Sequence, residues 1–579
     1  MGDSLQCLIL AKYPTQIFAL TEFLLALISL GPSPTFIPLV LLIATLRIHG
    51  ARIAGRNIQE LELMFSWVAV AAGSVLARYT SATTALSSPS QSLVAVGIMS
   101  GITYSLAIVT VYLDMRLNRR LQSTWAQITF FPVVWAMTWS AVSHMSPVGR
   151  LLSWTPVSTS HPYGWLLPYT GPLGTDWLVA ACAALCSEVA AIWLMGSDEE
   201  EIHASTSASA HQMQSRRRSR SLIALGTLLI ALTLPSLSIT LPNRTDTIVD
   251  LSPLGVACAL PPVRKNSHPS LSDFIAETRK LTPLAKVVLW PESAVVFNSE
   301  KEREAAFETL RTDTGQSLIG VAFEEFVLVD PSNPSGSRMK RNGLALVHRD
   351  QKEGEEIVQY YKRNLVPFTE SFSAIPSTAP PTIFNLELPA PKWTTRSEWS
   401  STPNHTRPVP ITSSICLDFA FPSAFSSLDS RPALILAPAH TWDPAVGLAM
   451  WDQAKSRANE IGSMVLWCDG GATGVSGIGG GGISEIMQVG AGSWSRTIGL
   501  QFPFDQRRTI YAVVGEFGVL AFFAVIMGGS SVAKYLPALS GRRFLEAVPL
   551  LQRMIRGRRR DQEDLIDVAV PGERQNLLH

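Results

Sequence analysis

The sequence predicts a helical membrane domain joined to an α/β sandwich domain, on three observations. Only 16% of the 579 residues are charged, whereas typical soluble domains carry about 25%. Long apolar segments crowd the first 241 residues and return once near residue 511. Between them, over 242–509, short apolar runs alternate with amphipathic segments, which is the pattern of an α/β sandwich. We therefore expect one soluble domain inserted between membrane helices.

Eight apolar segments are candidates for membrane spans, which need roughly 20 residues each. Seven precede the soluble domain and one follows it, and the second is the shortest. The predicted spans lie near 14–31, 34–48, 62–78, 92–113, 125–145, 176–195, 221–241 and 511–529. We thus expect a membrane domain over 1–241 with about seven helices, and a closing helix over 510–529.

Arginines are distributed unevenly among the loops between these segments. Basic loops follow the second, fourth, sixth and eighth segments, as in the run QSRRRSRS. The loop at 79–91 has no basic residue and the loop at 146–175 has only Arg150. Because short basic loops stay on the cytoplasmic side, both termini are predicted to be cytoplasmic and the soluble domain extracytoplasmic. The tail at 530–579 is basic, and topological charge explains it better than lipid contact; nothing indicates nucleic-acid binding.

Two sequons for N-glycosylation, at Asn243 and Asn404, fall in the predicted extracytoplasmic region. They favour a eukaryotic endoplasmic-reticulum-type membrane and a glycoprotein, whereas a bacterial protein would lie in the plasma membrane. The first apolar segment lacks a basic flank and is predicted to be a span rather than a cleaved signal peptide. The stretch at 197–221 is predicted to be a disordered cytoplasmic loop.

The soluble domain is predicted to contain buried strands and amphipathic helices in alternation. Strands are expected at 254–260, 285–290, 317–323, 343–348, 413–419, 433–438 and 463–469. Helices are expected at 271–281, 301–313 and 446–462. The glycine-rich stretch at 474–482 lacks the Lys-Ser/Thr of a phosphate-binding loop and is predicted to be a flexible loop.

The six cysteines give no recognisable framework. Their spacing includes no CxxC and no paired histidines, so neither a zinc site nor a disulfide framework is predicted. Metal ions and cofactors are likewise not expected. Glu22, Glu188 and Glu516 lie within apolar segments, where an ionisable group is costly and often functional.

Three polar residues stand at or near the ends of predicted strands. They are Glu292 in VVLWPESA, Lys362 in YYKRNLVPF and Cys416 in SSICLDFAFP. Each alone has an ordinary explanation, because a Glu after Pro is commonly solvated, a Lys beside Tyr extends to solvent, and a buried Cys fills core space. Their order in the chain and the sequences around them, taken together, are stronger evidence for a functional site than any one of the three residues.

Together these segments resemble the nitrilase (carbon–nitrogen hydrolase) superfamily, whose motifs carry a Glu-Lys-Cys triad. WPESA is similar to a WPE-(S/T)-A motif, YYKRNLVPFTES to Y-x-K-x-x-LVPFGE and ICLDFAFP to ICYE-x-x-FP of bacterial apolipoprotein N-acyltransferases. The resemblance also covers the segment HTWDPAVGLAMWDQAKSRANEIG. It includes the order of the parts as well: seven membrane spans, the soluble domain, and one closing span. It implies a nitrilase-type αββα sandwich as the catalytic domain over 242–509.

The resemblance assigns roles to the residues of these motifs. Glu292 would be the general base, Lys362 would stabilise negative charge, and Cys416 would form a thioester as nucleophile. Glu370, Asp418 and the backbone N–H of Leu417 are expected to support them. Apolar side chains would line a lip that receives an acyl chain, with ordinary core packing as the alternative; these are Phe368, Phe372, Ile375 and Phe384.

The motifs also depart from the family pattern. Thr369 replaces the Gly before the second Glu, and Leu417-Asp418 replaces Tyr-Glu after the Cys. Where the family has Arg-x-x-Asn at the end of a later strand, this sequence has Leu466-Trp467-Cys468-Asp469. These differences leave open which molecule accepts the acyl group from Cys416.

The function expected from the resemblance is N-acyl transfer within lipoprotein biosynthesis. A phospholipid would donate the acyl chain, and an amine or a protein N-terminus would accept it from Cys416. The alternatives are a membrane-anchored amidase or nitrilase-like hydrolase and a non-catalytic membrane scaffold. The oligomeric state is not predicted.

Overall fold

The computed structural model describes most of the chain in nine ranges. They are residues 12–54, 59–157, 162–195, 208–237, 251–262, 268–313, 315–328, 336–349 and 359–540. The sequon at Asn243, the first part of the predicted 197–221 loop and the predicted tail beyond residue 540 lie outside these ranges.

Within the described ranges, nine α-helices precede residue 240, four lie between residues 271 and 461, and one lies in the last described segment. They are α1 Pro14–Ser29, α2 Phe36–Ala54, α3 Gln59–Ala77, α4 Tyr79–Thr83, α5 Pro89–Leu117, α6 Thr124–Met145, α7 Leu167–Met195, α8 Ala208–Ala231, α9 Leu234–Leu237, α10 Leu271–Leu281, α11 Glu300–Asp313, α12 Arg396–Trp399, α13 Pro444–Ile461 and α14 Ile510–Ser540. Because α8 begins at Ala208, the prediction that all of 197–221 is a disordered loop is wrong for 208–221.

Six helices within the nine described ranges are long and apolar enough to cross a membrane: α2, α3, α5, α7, α8 and α14. The predicted span over 14–31 forms α1, whose 16 residues are fewer than the roughly 20 that a bilayer requires. The predicted span over 125–145 forms α6, in which Thr, Ser and Trp residues lower the hydropathy. The helical part of the prediction is therefore confirmed, and a membrane protein is indicated.

Within the described ranges, thirteen strands form the other part of the fold. They are β1 Leu251–Cys258, β2 Val287–Leu289, β3 Val295–Phe297, β4 Leu318–Leu328, β5 Arg338–Val347, β6 Gln359–Tyr361, β7 Phe384–Pro389, β8 Thr406–Ser413, β9 Leu434–Ala439, β10 Met464–Asp469, β11 Val475–Gly480, β12 Ile483–Val489 and β13 Trp494–Gln501. One sheet has the order β13-β1-β2-β4-β5-β6, with β3 also paired to β4, and the other has the order β12-β11-β10-β9-β8-β7.

The two sheets pack face to face with helices on their outer faces, as predicted for an αββα sandwich. Val256 and Leu289 of the first sheet share one hydrophobic core with Ile411 and Leu434 of the second. A separate core joins the first sheet to α10 and α11, and α13 covers the second sheet. The central strands β1, β2 and β4, like β8, β9 and β10, are parallel. Most of their residues are buried on both faces, which explains their apolar runs.

Local sequence signals begin and end the sandwich helices. Ser270 and Asp273 form a reciprocal capping box at the start of α10. Asp443 caps α13 ahead of Pro444, and Gly462 ends that helix with a left-handed φ of 73°. The predicted helices over 271–281, 301–313 and 446–462 are thus confirmed to within two residues.

Two predictions about strands are wrong. The run predicted as a strand over 413–419 is strand only to Ser413, and Cys416–Ala420 is a 3₁₀ turn. The glycine-rich stretch predicted as a flexible loop contains β11, a buried strand of the second sheet. Glycine is needed there because a Cβ at Gly477 would lie 2.2 Å from the carbonyl oxygen of Glu485 on β12.

A disulfide joins Cys258 to Cys468, although the cysteine spacing suggested no disulfide framework. Cys258 ends β1 in the first sheet and Cys468 lies in β10 of the second, 210 residues later. Spacing rules describe local cysteine patterns, whereas this pair meets only because the two sheets stack. The bond therefore cross-links the two layers inside the core.

The helical domain contacts the sandwich on the side that carries Cys416. Gly149, in the loop after α6, has a φ of 55°, and a Cβ there would lie 2.4 Å from the carbonyl oxygen of Ala420. Trp442 Nε1 donates to the Ser81 carbonyl over 3.0 Å, and Ser33 Oγ donates to Asp452 over 3.1 Å. The turn that contains Cys416 is consequently supported from the helical domain.

Candidate active site

Strand direction brings Glu292, Lys362 and Cys416 together. Glu292 follows β2 and Lys362 follows β6, which run the same way because both pairings across β4, β5 and β6 are antiparallel. Both side chains therefore leave the same edge of the first sheet. Cys416 follows β8 of the second sheet. The backbone N–H of Glu292 donates to the Ala439 carbonyl at the end of β9 over 3.3 Å, which joins the two sheets at this point.

Glu292 is a buried carboxylate with two donors on one oxygen. Lys362 Nζ lies 2.8 Å from Oε1, and Asn342 Nδ2 lies 2.7 Å from the same atom. The Cys416 thiol is a further neighbour of this carboxylate and interacts with it. Burial raises the pKa of Glu292 to about 7, against the opposing charge of Lys362.

Lys362 is buried between two carboxylates. Its Nζ is 2.8 Å from Glu292 Oε1 and 2.7 Å from Glu370 Oε2. Burial by itself would lower the pKa of Lys362, but the negative charges of Glu292 and Glu370 outweigh it and raise the pKa. The amine therefore remains an ammonium ion throughout the physiological range.

Cys416 occupies the first position of the 3₁₀ turn with a φ of 41°. A non-glycine residue in this left-handed region is strained, and such residues concentrate at functional sites. The thiol is buried, and the His440 backbone N–H donates to its sulfur. Burial and the negative Glu292 raise the pKa of Cys416 well above its usual range, against the opposing charge of Lys362. The resting group is a thiol with a carboxylate beside it.

Glu370 holds both Lys362 and its own loop. Its Oε2 accepts the Val366 backbone N–H over 2.8 Å, and its backbone N–H donates to the Val366 carbonyl. This segment is also attached to β5, because Lys340 N–H donates to the Ser373 carbonyl. The lip over 365–375 is thereby fixed relative to Lys362.

Asp418 does not touch the acid–amine cluster but organises the backbone that carries it. Its Oδ2 accepts the Tyr360 hydroxyl over 2.7 Å, and its Oδ1 accepts the Asn364 N–H and Nδ2 over 2.8 Å each. Burial raises the pKa of Asp418, opposed by these donors. The carboxylate connects the Cys416 turn to both sides of Lys362.

Leu417 follows Cys416 in the turn, and its side chain is buried. Backbone N–H groups at the start of a helical turn have no partner within that turn. This position is suitable for the backbone donor expected from the sequence.

The lip side chains divide into two groups. Phe368 and Phe372 are 59% and 77% exposed, and Ile375 is half-buried. Phe384 lies on β7 and packs against the inter-sheet core, so its predicted place in the lip is wrong. An aromatic in an edge strand and one in a loop are indistinguishable by residue type alone.

Sequence reasoning missed Asn342 and His440. Asn342, on β5, donates its side-chain Nδ2 to Glu292. Its backbone carbonyl accepts the Lys362 backbone N–H over 2.9 Å. His440, which follows β9, contributes only a backbone N–H. Asn342 stands between the charged first half and the apolar second half of β5, so its residue type gives no distinct signal, and a backbone donor leaves no signal in the sequence. Among the residues that the structure describes, no group of three side chains is arranged to hold a metal ion.

The arrangement is suited to covalent chemistry at a carbonyl carbon. The thiol of Cys416, on a strained backbone turn, lies beside the Glu292 carboxylate. The Glu292 pKa of about 7 suits proton transfer near neutral pH. A permanent ammonium ion lies beside the same carboxylate, ready to stabilise charge that develops on oxygen. These groups form the candidate active site.

Comparison with solved structures finds similarity to proteins of the nitrilase superfamily. An amidase of this superfamily from Nesterenkonia shares 15% identity over 42% of this chain and 90% of its own, with a TM-score of 0.31. Nit3 from Saccharomyces cerevisiae, a member of branch 10 of the superfamily, shares 16% identity over 46% of this chain and 95% of its own, with a TM-score of 0.31. No protein-family model and no curated protein matches the chain.

Proposed function

We propose that this protein is a nitrilase-superfamily acyltransferase anchored in a membrane. It moves an acyl chain from a phospholipid to an amine through a thioester on Cys416. The single observation that supports this most is the buried contact of Glu292, Lys362 and Glu370 beside a thiol on a strained turn. The resemblance of WPESA, YYKRNLVPFTES and ICLDFAFP to apolipoprotein N-acyltransferases gives the same assignment.

In the first half-reaction, Glu292 takes the Cys416 proton as sulfur attacks an ester carbonyl of the phospholipid. The carbonyl oxygen becomes an oxyanion, stabilised by the Lys362 ammonium and the Leu417 N–H. Collapse breaks the carbon–oxygen bond to the glycerol. Glu292 then returns its proton to the leaving alkoxide, so that a lysophospholipid departs and an acyl thioester remains.

In the second half-reaction, an amine attacks the thioester while Glu292 accepts its proton. The carbon–sulfur bond breaks, an amide forms, and Glu292 protonates the sulfur to regenerate the thiol. Glu370 keeps Lys362 in position in both steps through its two oxygens. Because the acceptor must be a neutral amine, a protein N-terminus is suitable, and a lipoprotein N-terminus is the acceptor that the resemblance implies.

The surroundings favour a lipid donor over a soluble one. Helices long and apolar enough to cross a membrane flank the sandwich in the sequence, and the Cys416 turn contacts the helical domain. Phe368 and Phe372 expose aromatic rings on the lip that follows Lys362. An acyl chain could pack against these rings on its way to sulfur.

We also propose the topology in which both termini are cytoplasmic and the sandwich is extracytoplasmic. The alternation of basic and non-basic loops supports it. The disulfide gives separate support, because such bonds form in oxidising compartments outside the cytosol.

The first test is trapping of the acyl-enzyme. The full chain, in membranes, is incubated with phospholipid labelled in its acyl chain, and a protein adduct released by neutral hydroxylamine is expected on Cys416. Cys416→Ala is expected to abolish the adduct. The matched control is the double variant Cys182→Ala, Cys186→Ala, which removes the free thiols of α7 and should keep it. Labelling of Cys416→Ala in that double background through a hydroxylamine-sensitive bond would contradict the mechanism.

The same adduct separates transferase from hydrolase. The trapped thioester should persist in buffer and disappear when an amine acceptor is added, with label recovered as an amide. Rapid decay to free fatty acid without amine would instead identify a membrane-anchored hydrolase. A Cys416 that never reacts with lipid or thiol-reactive lipid probes would support a non-catalytic scaffold.

A further inference from the structure

The sequon at Asn404 lies in an exposed turn just before β8. Asn404 itself is exposed, and its side chain makes no hydrogen bond within the described part of the chain. The turn is shaped by its neighbours: His405 N–H donates to the Thr402 carbonyl over 2.9 Å, and Thr406 N–H donates to Thr402 Oγ1 over 3.1 Å. The asparagine amide is therefore presented to solvent on a defined turn that does not need it.

The turn is remote from the side of the sandwich that meets the helical domain. β8 runs from Thr406 to Ser413 and leads directly to the Cys416 turn, which contacts Gly149. Eight residues of strand span roughly 26 Å at 3.3 Å per residue. Asn404 thus stands at the opposite end of β8 from the helical domain, with room for a bulky polar group.

Two separate features place this turn in a compartment where sequons are used. The buried disulfide between Cys258 and Cys468 requires oxidising conditions during folding. The basic loops predict that the sandwich is on the side of the membrane away from the cytoplasm. Neither the disulfide nor the basic loops involve the sequon, so each supports an extracytoplasmic location for Asn404 independently.

We propose that Asn404 carries an N-linked glycan. The Asn404 amide nitrogen forms a bond to the anomeric carbon of an oligosaccharide carried on a lipid diphosphate. The bond from that carbon to the diphosphate oxygen breaks, and the lipid diphosphate departs with the amide proton. Asn404 lies outside the Glu292–Lys362–Cys416 cluster, so the modification is independent of acyl transfer.

The test uses the full chain expressed in a eukaryotic cell, with Asn243→Gln present throughout so that only one sequon remains. Treatment with peptide N-glycosidase is expected to increase electrophoretic mobility and to convert Asn404 to Asp in the released peptide. Asn404→Gln and Thr406→Ala should each remove the shift. The conservative control Thr406→Ser retains the sequon and should keep it.

Absence of a glycosidase-sensitive shift in the Asn243→Gln chain would overturn the proposal, as would a shift that persists in Asn404→Gln. Acylation of Cys416 is measured on the same samples to show that each variant is folded. Because Asn404 is exposed, Asn404→Gln should retain full acylation. Loss of the glycan and loss of acyl transfer are therefore separate results.

Discussion

Two regions of the molecule bury a glutamate, and they differ in what surrounds it. In the helical domain, Glu22 of α1 accepts from His49 of α2 over 2.7 Å and from Ser66 of α3, which in turn contacts Tyr104 of α5. All four side chains are buried. Both oxygens of Glu22 are thus occupied by donors from regular helices.

In the sandwich, Glu292 receives two donors on one oxygen and also interacts with the Cys416 thiol. Its neighbour Lys362 is shared with a second carboxylate, and the adjacent Cys416 has a positive φ. Burial of an acid is common to both clusters and does not distinguish them. A buried thiol on a strained turn, near the ends of parallel strands, is what distinguishes the candidate active site.

The sharpest test of this difference changes each glutamate to glutamine. Glu292→Gln removes the proton acceptor and should reduce Cys416 acylation by about 10²–10⁴-fold. Glu22→Gln should leave acylation unchanged but lower the free energy of unfolding by about 1–3 kcal/mol, because a buried hydrogen-bond network loses an acceptor. Initial rates of adduct formation and thermal unfolding in detergent measure the two effects. A large rate loss in Glu22→Gln with normal stability would erase the distinction.

The pH dependence of acylation should follow Glu292. The base must be deprotonated to act, and its raised pKa of about 7 means that the rate increases as pH rises through 7. At pH 5 the rate should be about a hundredfold below its plateau, since each pH unit below the pKa costs about tenfold in carboxylate. The raised pKa of Lys362 keeps the ammonium intact at alkaline pH. A midpoint near 4 would show that a solvated carboxylate, not Glu292, controls the rate.

The sequence predicted the parts of this site that depend on local patterns. WPESA, YYKRNLVPF and ICLDF each mark a strand end with its polar residue, and apolar runs with flanking prolines identify the strands. The Cys416 turn was missed because an apolar run gives the same signal in a strand and in a buried 3₁₀ turn. Asn342 and the disulfide between Cys258 and Cys468 depend on which strands become neighbours, and single-sequence periodicity does not contain that information.

Asp418 offers a test of the scaffold rather than the chemistry. Its carboxylate accepts hydrogen bonds from the Tyr360 hydroxyl and from the backbone N–H and Nδ2 of Asn364. Asp418→Asn places an amide among them and should cut acylation by about 10–100-fold, because Lys362 lies between these two residues and loses its fixed position. The plateau rate should fall while the pH midpoint stays near 7. A shifted midpoint with a normal plateau would mean that Asp418 acts on Glu292 directly.

Asn342 should produce the opposite pattern and the smallest effect. Its Nδ2 donates to Glu292 over 2.7 Å, and a donor to a carboxylate favours the charged form. Asn342→Ala should therefore raise the pKa of Glu292 and move the midpoint of the pH profile upward by about 1 unit, the equivalent of one hydrogen bond to a charged group. At pH 7 the rate should fall by about fivefold, because the carboxylate fraction drops from about one half to about one tenth, and alkaline pH should restore most of it. Asn342→Asp is the matched control of similar size: its added carboxylate should raise the pKa of Glu292 further, so recovery should require a still higher pH. If alkaline pH restores neither variant, Asn342 supports the fold of β5 rather than the charge of Glu292.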